Sequence, residues 1–183
     1  MKINLISAET SAQLTEIEKL YMEAFPENER KPFSLITDQK ASGRVEILAA
    51  QWVGLQEDNI VGEAILAEWN GVVLLDYFAV FSEFRSRGAG TDILKALQKR
   101  YHNKRFILEI ESTEVPAENY EQRQKRKQFY KRNGMQSLGY SADVFGVEME
   151  VLGYQCEVSF EEYQAVYENV YGKKYGERVV KVG

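Results

Sequence analysis

Stretches with apolar residues at helical spacing occur along the chain between stretches in which apolar and polar residues alternate. Apolar positions three and four residues apart predict helices, because such residues lie on one helix face. Two of these stretches begin with a capping box, Thr10 to Gln13 and Ser159 to Glu162, which satisfies backbone N–H groups of the first turn. The predicted helices are Leu14–Phe25, Phe33–Ala41, Asp92–Arg100, Gln122–Arg132 and Phe160–Tyr171.

Runs with a period of two residues, rich in β-branched and aromatic side chains, predict strands. Asn70-Gly71 predicts a two-residue hairpin, because both turn positions need a positive φ. Glu57-Asp58-Asn59 is expected to form a further turn. The predicted strands are Lys2–Ser7, Val45–Gln56, Ile60–Trp69, Val72–Val80, Arg105–Glu111, Met135–Ser141 and Val144–Tyr154. An antiparallel meander thus leads into a unit of strand, glycine-containing loop and helix.

That unit contains the sequence Arg-x-x-Gly-x-Gly, from Arg85 to Gly90, between an apolar strand and a helix. The first turn of a helix has unpaired N–H groups and partial positive charge, and glycines let an anion approach the backbone. Arg85 and Arg87 add cationic donors. We therefore expect a phosphorylated cofactor to bind here; the alternative is a tight strand-to-helix connection that needs two glycines.

Two better-known phosphate loops do not fit this sequence. A dinucleotide fingerprint needs a third glycine where the chain has Ile93. A P-loop needs Gly-Lys-Ser/Thr at its end, whereas Gly90 is followed by Thr91 and Asp92. A different enzyme that binds a phosphorylated ligand with the same loop is a further alternative.

Composition narrows the class of protein. The chain has 183 residues, 44% of them hydrophobic and 28% charged, which fits one soluble globular domain. The net charge of −5 argues against nucleic acid as a partner. With Cys156 and His102 as the only cysteine and histidine, a disulfide, a cysteine metal cluster or a histidine-based zinc site is not expected. No signal peptide or membrane span is apparent, so we expect no membrane partner and a cytoplasmic location.

The Arg-x-x-Gly-x-Gly sequence resembles the acetyl-CoA pyrophosphate loop of the GNAT superfamily of N-acetyltransferases. A second segment, Lys127–Met135, resembles the family's Phe/Leu-Tyr-x-x-x-Gly-Phe helix end, with Met135 replacing the usual phenylalanine. The resemblance covers residues 1–154, the expected acetyltransferase domain, with 155–183 as a C-terminal helix and tail packed on the same domain. It implies an α/β (α+β) fold: a mixed, mostly antiparallel central sheet, helices on both faces, and a parallel strand pair at the acetyl-CoA site. The chain is most similar to bacterial members of unassigned substrate.

The resemblance also implies acetyl-CoA as co-substrate, without a metal. Backbone amides of the loop would hold the pyrophosphate, and the end of the preceding strand would pair with the pantetheine arm and polarise the thioester carbonyl. The expected cofactor-binding residues are Phe78, Ala79, Val80, Arg85, Arg87, Gly88, Ala89, Gly90 and Thr91.

Tyr130 corresponds to the family tyrosine beside the cofactor sulfur, so it is expected to protonate or hydrogen-bond the leaving thiolate. The alternative is a core tyrosine at a helix end. Glu109 aligns with a strand glutamate that is the base in protein N-terminal acetyltransferases. Glu111, two residues away and thus on the same face, and Asp76 are further candidates for the base. These carboxylates could equally be salt-bridged, and many family members use no obvious base.

The expected function is acetyl transfer from acetyl-CoA to a primary amine of a small molecule or protein, by direct attack in a ternary complex. The alternative is a non-catalytic acyl-CoA-binding sensor or interaction module.

The sequence does not identify the acceptor. The charged loop Pro26–Pro32 and the helix after it either form one wall of the acceptor site or only pack against the rest of the chain. The cations of the helix Gln122–Arg132 are either a solvated face or attract a cofactor phosphate. The oligomeric state is unreadable, although the C-terminal tail is a candidate homodimer contact.

Overall fold

The structure of the chain is a computed structural model that describes residues 2–54 and 60–183. The strands are β1 (Ile3–Ser7), β2 (Val45–Trp52), β3 (Ile60–Trp69), β4 (Val72–Val80), β5 (Arg105–Glu111), β6 (Met135–Val144), β7 (Val147–Tyr154) and β8 (Val179–Val182). The helices are α1 (Ser11–Ala24), α2 (Phe33–Ala41), α3 (Ala89–Arg100), α4 (Tyr120–Arg132), α5 (Phe160–Tyr171) and α6 (Lys173–Gly176). Short 3-10 turns cover Glu27–Glu29 and Ser82–Phe84.

The strands form one sheet in the order β1-β2-β3-β4-β5-β7-β6-β8. The sheet is mostly antiparallel, with β4 and β5 as the parallel pair and helices around it. The predicted fold class, a mixed and mostly antiparallel sheet with one parallel strand pair, is confirmed. Within the described residues, no helix is both long enough and apolar enough to cross a membrane.

The chain forms two compact units. The first unit consists of Met1–Ala67 and Leu75–Arg100, and the second of Glu68–Leu74 and Tyr101–Gly183. The division at residue 154 expected from the sequence stays a prediction.

The first unit is built on the antiparallel strands β1, β2 and β3. The capping box of α1 is confirmed: the Gln13 N–H donates to the Thr10 hydroxyl at 3.2 Å and the Thr10 N–H to the Gln13 side chain at 3.1 Å. Gly62 marks a close approach of β3 and β4, since a Cβ there would lie 2.6 Å from the Ala79 carbonyl oxygen. Only glycine fits that position without a backbone shift.

The second unit contains β7 between β5 and β6, with β8 at the far side of β6. The apolar stripe predicted to be core on α5 is buried, and its capping box at Ser159 and Glu162 is present. The turn between β6 and β7 is Phe145-Gly146, and both residues have positive φ, 57° and 95°.

Several element ends differ from those predicted. β2 ends at Trp52 rather than Gln56, and the expected turn at residues 57–59 lies outside the described residues. α3 begins at Ala89 because Gly88, with φ +87°, turns the backbone directly into the helix. β6 extends to Val144 because its last residues pair with β8, a strand that the sequence pattern did not predict.

Candidate active site

The loop between β4 and α3 has the backbone geometry of an anion-binding nest. Ser86 and Gly88 have positive φ, 60° and 87°, on either side of Arg87. Such an alternation turns successive N–H groups toward one side, where they can surround an anion. A Cβ on Gly88 would meet no described atom within 4 Å, so the loop backbone is open on that side. The predicted loop therefore has the shape that a phosphate requires.

The start of α3 adds further donors. The Asp92 N–H donates to the Gly88 carbonyl at 3.0 Å, which is the first hydrogen bond of the helix. The N–H groups of Ala89, Gly90 and Thr91 therefore precede the helical ladder, at the positive end of the helix dipole. The sequence placed these residues in the loop, whereas in the structure they form the first helical turn.

The two arginines of the loop differ in their contacts. Arg85 Nε donates to the Val80 carbonyl at 2.9 Å, which fastens the loop to the end of β4. Both Arg85 and Arg87 are exposed. Because a guanidinium has five N–H donors, Arg85 can still offer others to an anion. Of the three strand residues expected to meet the pantetheine arm, Ala79 is buried, and Phe78 and Val80 are partly exposed.

Tyr130 lies in the last turn of α4, in the second unit, and its ring packs edge-on against Phe129 with centroids 5.1 Å apart. Burial raises the pKa of Tyr130 to about 12, although the charge of Arg126 opposes this rise. In the described part of the chain, no hydrogen bond engages the Tyr130 hydroxyl. Tyr130 is therefore a neutral donor at physiological pH.

Glu109 lies on β5 and binds two tyrosines of α5. The Tyr167 hydroxyl donates to one carboxylate oxygen at 2.7 Å, and the Tyr163 hydroxyl donates to the other. Burial, together with the charge of Glu109, raises the pKa of Tyr163 well above its ordinary value, so this phenol stays a donor. Each oxygen of the Glu109 carboxylate therefore accepts a hydrogen bond from a phenol of α5.

Glu111 faces α4 instead. Its carboxylate accepts from Arg123 at 2.9 Å and from Arg126 at 2.7 Å, and its side chain is only 7% exposed. Lys127, on the same helix, binds Glu150 at 2.6 Å and the Thr113 hydroxyl at 2.7 Å. Thus three cations of the basic helix are held in ion pairs with strand carboxylates.

Glu150 is the ion-pair partner of Lys127 on that helix, and its pKa reflects this contact. Burial acts to raise the pKa of Glu150, but hydrogen bonds from Lys127 and Thr113 outweigh it and hold the pKa below its ordinary value. The carboxylate is therefore ionised at neutral pH, as its partner Lys127 requires. Lys125, Lys131 and Arg132 of the same helix are exposed, so a solvated face and attraction of a cofactor phosphate both stay predictions.

Asp76, the third carboxylate considered as a base, is buried on β4 and accepts from Lys31 Nζ at 2.8 and 3.0 Å. The sequence left open whether Asp76 is a base or a salt-bridged carboxylate, and it did not identify Lys31, in the loop after α1, as a partner. Each candidate base thus has a charged or hydroxyl partner within the chain.

Glu63 on β3 is a buried carboxyl that sequence reasoning missed. Its exposure is 0%, and neither carboxylate oxygen has a hydrogen-bond partner among residues 2–54 and 60–183. Burial raises the pKa of Glu63 well above its ordinary value. The sequence does contain a sign of this residue, because a glutamate inside an apolar strand, like Asp76, needs either a partner or a function.

The described residues contain no group of three or more His, Cys, Asp and Glu side chains that could hold a metal ion. The expectation that acetyl transfer here needs no metal stays a prediction.

Comparisons with known proteins agree with the loop and the fold. Residues 49–136 match the family model of the acetyltransferase (GNAT) domain. No curated protein matches the chain. Among solved structures, a protein from Bacteroides thetaiotaomicron that is assigned to the GNAT family of acetyltransferases superposes with a TM-score of 0.70. The two chains are 17% identical, and the superposition covers 96% of this chain and 99% of that one.

Two further solved structures have named activities. An aminoglycoside 6'-N-acetyltransferase complexed with coenzyme A has a TM-score of 0.65 at 15% identity, covering 84% of this chain and 96% of that one. The ribosomal-protein-S18-alanine N-acetyltransferase of Escherichia coli has a TM-score of 0.59 at 15% identity, covering 86% and 96%. The family model over residues 49–136, the superposed structures and the glycine loop agree that the chain has the fold of the GNAT acetyltransferases.

Proposed function

We propose that the chain transfers the acetyl group of acetyl-CoA to a primary amine of a small molecule or protein, by direct attack of the amine in a ternary complex. The observation that carries this proposal is the loop between β4 and α3. Its two residues with positive φ and the first-turn amides of α3 offer an anion-binding backbone directly after the strand. The coenzyme A complex of the aminoglycoside acetyltransferase, a protein of the same fold, supports it.

Each part of the reaction then has a proposed group. Amides of residues 87–91 bind the pyrophosphate, and the β4 backbone at Phe78–Val80 binds the pantetheine arm and polarises the thioester carbonyl. The amine attacks this carbonyl, the C–S bond breaks, and the Tyr130 hydroxyl stabilises the thiolate that leaves. Glu109 is the proposed acceptor for the amine proton.

Gly88→Val tests the cofactor loop. A β-branched side chain at φ +87° would project into the open side of the loop and obstruct the pyrophosphate. Calorimetry with acetyl-CoA should show at least about a 10-fold loss of affinity, which corresponds to one lost charge-assisted hydrogen bond.

Gly43→Val is the matched control. Gly43 follows α2 in the same unit, has φ +76°, and a Cβ placed on it would likewise meet no described atom within 4 Å. It therefore carries similar backbone strain without touching the loop, and it should bind acetyl-CoA as the unaltered protein does. Equal affinity of a folded Gly88→Val variant would remove the loop from the cofactor site.

Glu109→Gln tests the proposed base. Loss of a general base should slow amine acetylation by about 10²-fold near neutral pH, and the deficit should narrow at alkaline pH, where more of the amine is already deprotonated. Tyr167→Phe keeps the carboxylate while removing the 2.7 Å hydrogen bond to it, so activity should be largely retained. If the Glu109→Gln variant reacts as fast as the unaltered protein at every pH, Glu109 is not the base, and the amine must already be deprotonated when it binds.

The second candidate is a non-catalytic acyl-CoA-binding module. One observation favours it: Glu109, Glu111 and Asp76 all have partners within the chain. Turnover separates the two functions, because a sensor would bind acetyl-CoA without releasing thiol for any amine in a screen. The amine acceptor, a cytoplasmic location and a homodimer contact through the C-terminal tail stay predictions.

A further inference from the structure

The side-chain amine, the backbone N–H and the backbone carbonyl of Lys31 all form hydrogen bonds. Its side chain is 3% exposed, and Nζ lies 2.8 Å from one oxygen of Asp76 and 3.0 Å from the other. Its backbone N–H donates to the Tyr77 hydroxyl at 3.1 Å, and its carbonyl accepts from the Tyr21 hydroxyl at 2.8 Å. A lysine buried this completely is rare unless it is paired.

These contacts fasten the segment Pro26–Pro32, called here the α1–α2 loop, to strand β4. The Tyr77 hydroxyl also donates to the Glu29 carbonyl at 3.0 Å. This one hydroxyl therefore binds the loop at both Glu29 and Lys31. The Tyr77 ring packs edge-on against Tyr21 at 4.7 Å and Phe25 at 5.0 Å, which fixes the ring that carries this hydroxyl. Lys31 Nζ also lies 4.9 Å from the centre of the same ring.

The position of the attachment along β4 matters. Asp76 and Tyr77 directly precede Phe78–Val80, the residues proposed to bind the pantetheine arm and polarise the thioester. The contacts with Asp76 and Tyr77 therefore fix the α1–α2 loop next to the backbone proposed to bind the thioester. A buried ion pair resists movement of this loop, because separating the charges leaves each one desolvated and unpaired.

We propose that Lys31 is a positioning residue: its ion pair with Asp76 holds the α1–α2 loop as the wall that places the acceptor amine beside the thioester. The inference rests on the proposed acetyl transfer. Lys31 acts through the loop and does not touch the reacting atoms.

The test uses two variants of the full chain. Tyr77→Phe keeps the aromatic packing and both charges but removes the hydroxyl that binds the Glu29 carbonyl and the Lys31 N–H. The double variant Lys31→Met with Asp76→Asn removes both charges together, so that neither is left buried alone. Arg100→Met is the control, because it breaks an ion pair with Glu46 in the same unit away from the loop.

Three quantities are measured for each variant: hydrogen exchange of residues 26–32, acetyl-CoA affinity by calorimetry, and steady-state kinetics with a primary amine. The amine is the one that the unaltered protein acetylates fastest in a panel of n-butylamine, spermidine and an alanyl peptide. We expect exchange in the loop to rise at least about fivefold, as for the loss of one hydrogen bond. The kcat/KM for the amine should fall by about 10- to 10²-fold, as for a misplaced reactant, while acetyl-CoA affinity stays unchanged. Arg100→Met should change none of these.

Two results would overturn the positioning role: unchanged loop exchange in both variants, or faster exchange with unchanged kcat/KM for the amine. A parallel loss of acetyl-CoA affinity would also overturn it, since Lys31 would then merely support the fold. Failure of the proposed function looks different, because the unaltered protein would itself show no turnover with any amine, and the positioning role would fall with it.

Discussion

Replacing Tyr130 with phenylalanine is expected to slow the chemical step of acetyl transfer by about 10- to 150-fold, the equivalent of one hydrogen bond of ~1.5–3 kcal/mol to a charged group. Acetyl-CoA affinity should change little, because the ring and its packing against Phe129 remain. Single-turnover rates, measured with saturating acetyl-CoA and amine, isolate the chemical step from product release.

The pKa of Tyr130 decides which kind of help it gives. With a pKa of about 12, the buried phenol is a weaker acid than an alkyl thiol, whose pKa is about 8.5 when taken from cysteine. Full transfer of the Tyr130 proton to the thiolate is therefore uphill. We expect Tyr130 to act as a hydrogen-bond donor to the developing negative charge, and its ionisation should leave no trace in a pH–rate profile up to about pH 11.

The leaving group provides the control for this prediction. An acyl donor whose thiol has a lower pKa needs less stabilisation, so the deficit of Tyr130→Phe should shrink with such a donor. A phenylalanine variant that reacts at the full rate while chemistry is rate-limiting would eliminate the role of the hydroxyl. Equal losses of rate and acetyl-CoA affinity would show that Tyr130 supports packing.

Glu63→Gln is expected to stabilise the protein increasingly as the pH rises. The pKa of Glu63 is raised in the folded state by burial, so folding favours the protonated acid. Stability from this group is fully present below its unfolded pKa, about 4.3, and is lost as the pH rises toward the folded value. Over that interval, the unaltered protein should lose about 1.4 kcal/mol per pH unit relative to the glutamine variant.

Thermal unfolding between pH 4 and pH 9 measures this difference, at about 2–4 °C per kcal/mol for a chain of this size. Glutamine has nearly the shape of the protonated acid but stays neutral at every pH. Glu18→Gln removes an exposed carboxylate from α1 in the same unit and controls for the change of net charge. A stability difference that does not vary with pH, or that falls as the pH rises, would show that Glu63 is not held protonated by burial.

Local features were predictable from the sequence because their causes lie within a few residues. The capping boxes at Thr10 and Ser159 need only a side chain and an N–H three residues later, and both are present. Asn70-Gly71 forms the predicted turn with φ of 49° and 76°, since asparagine and glycine tolerate that conformation. Phe145-Gly146 makes a similar turn, but phenylalanine gives no sign of a positive φ in the sequence.

The partners of the charged groups were not predictable, because each pair joins residues far apart in the chain. Lys31 and Asp76 are separated by 45 residues, and Glu111 and Arg126 by 15. A strand carboxylate can be recognised as needing a partner, but the choice among many cations depends on how the strands and helices pack. For the same reason β8 was missed, since its short sequence becomes a strand only by pairing with the end of β6.

The hydrogen bonds of Glu109 also set an order of events during synthesis. Its two donors, Tyr163 and Tyr167, follow it by 54 and 58 residues. At about 5–20 residues per second, a ribosome would take roughly 3 to 12 s to make the intervening chain, and more to release it from the exit tunnel. During that time β5 holds a carboxylate whose tyrosine donors do not yet exist. The second unit therefore cannot be completed before α5 has been synthesised.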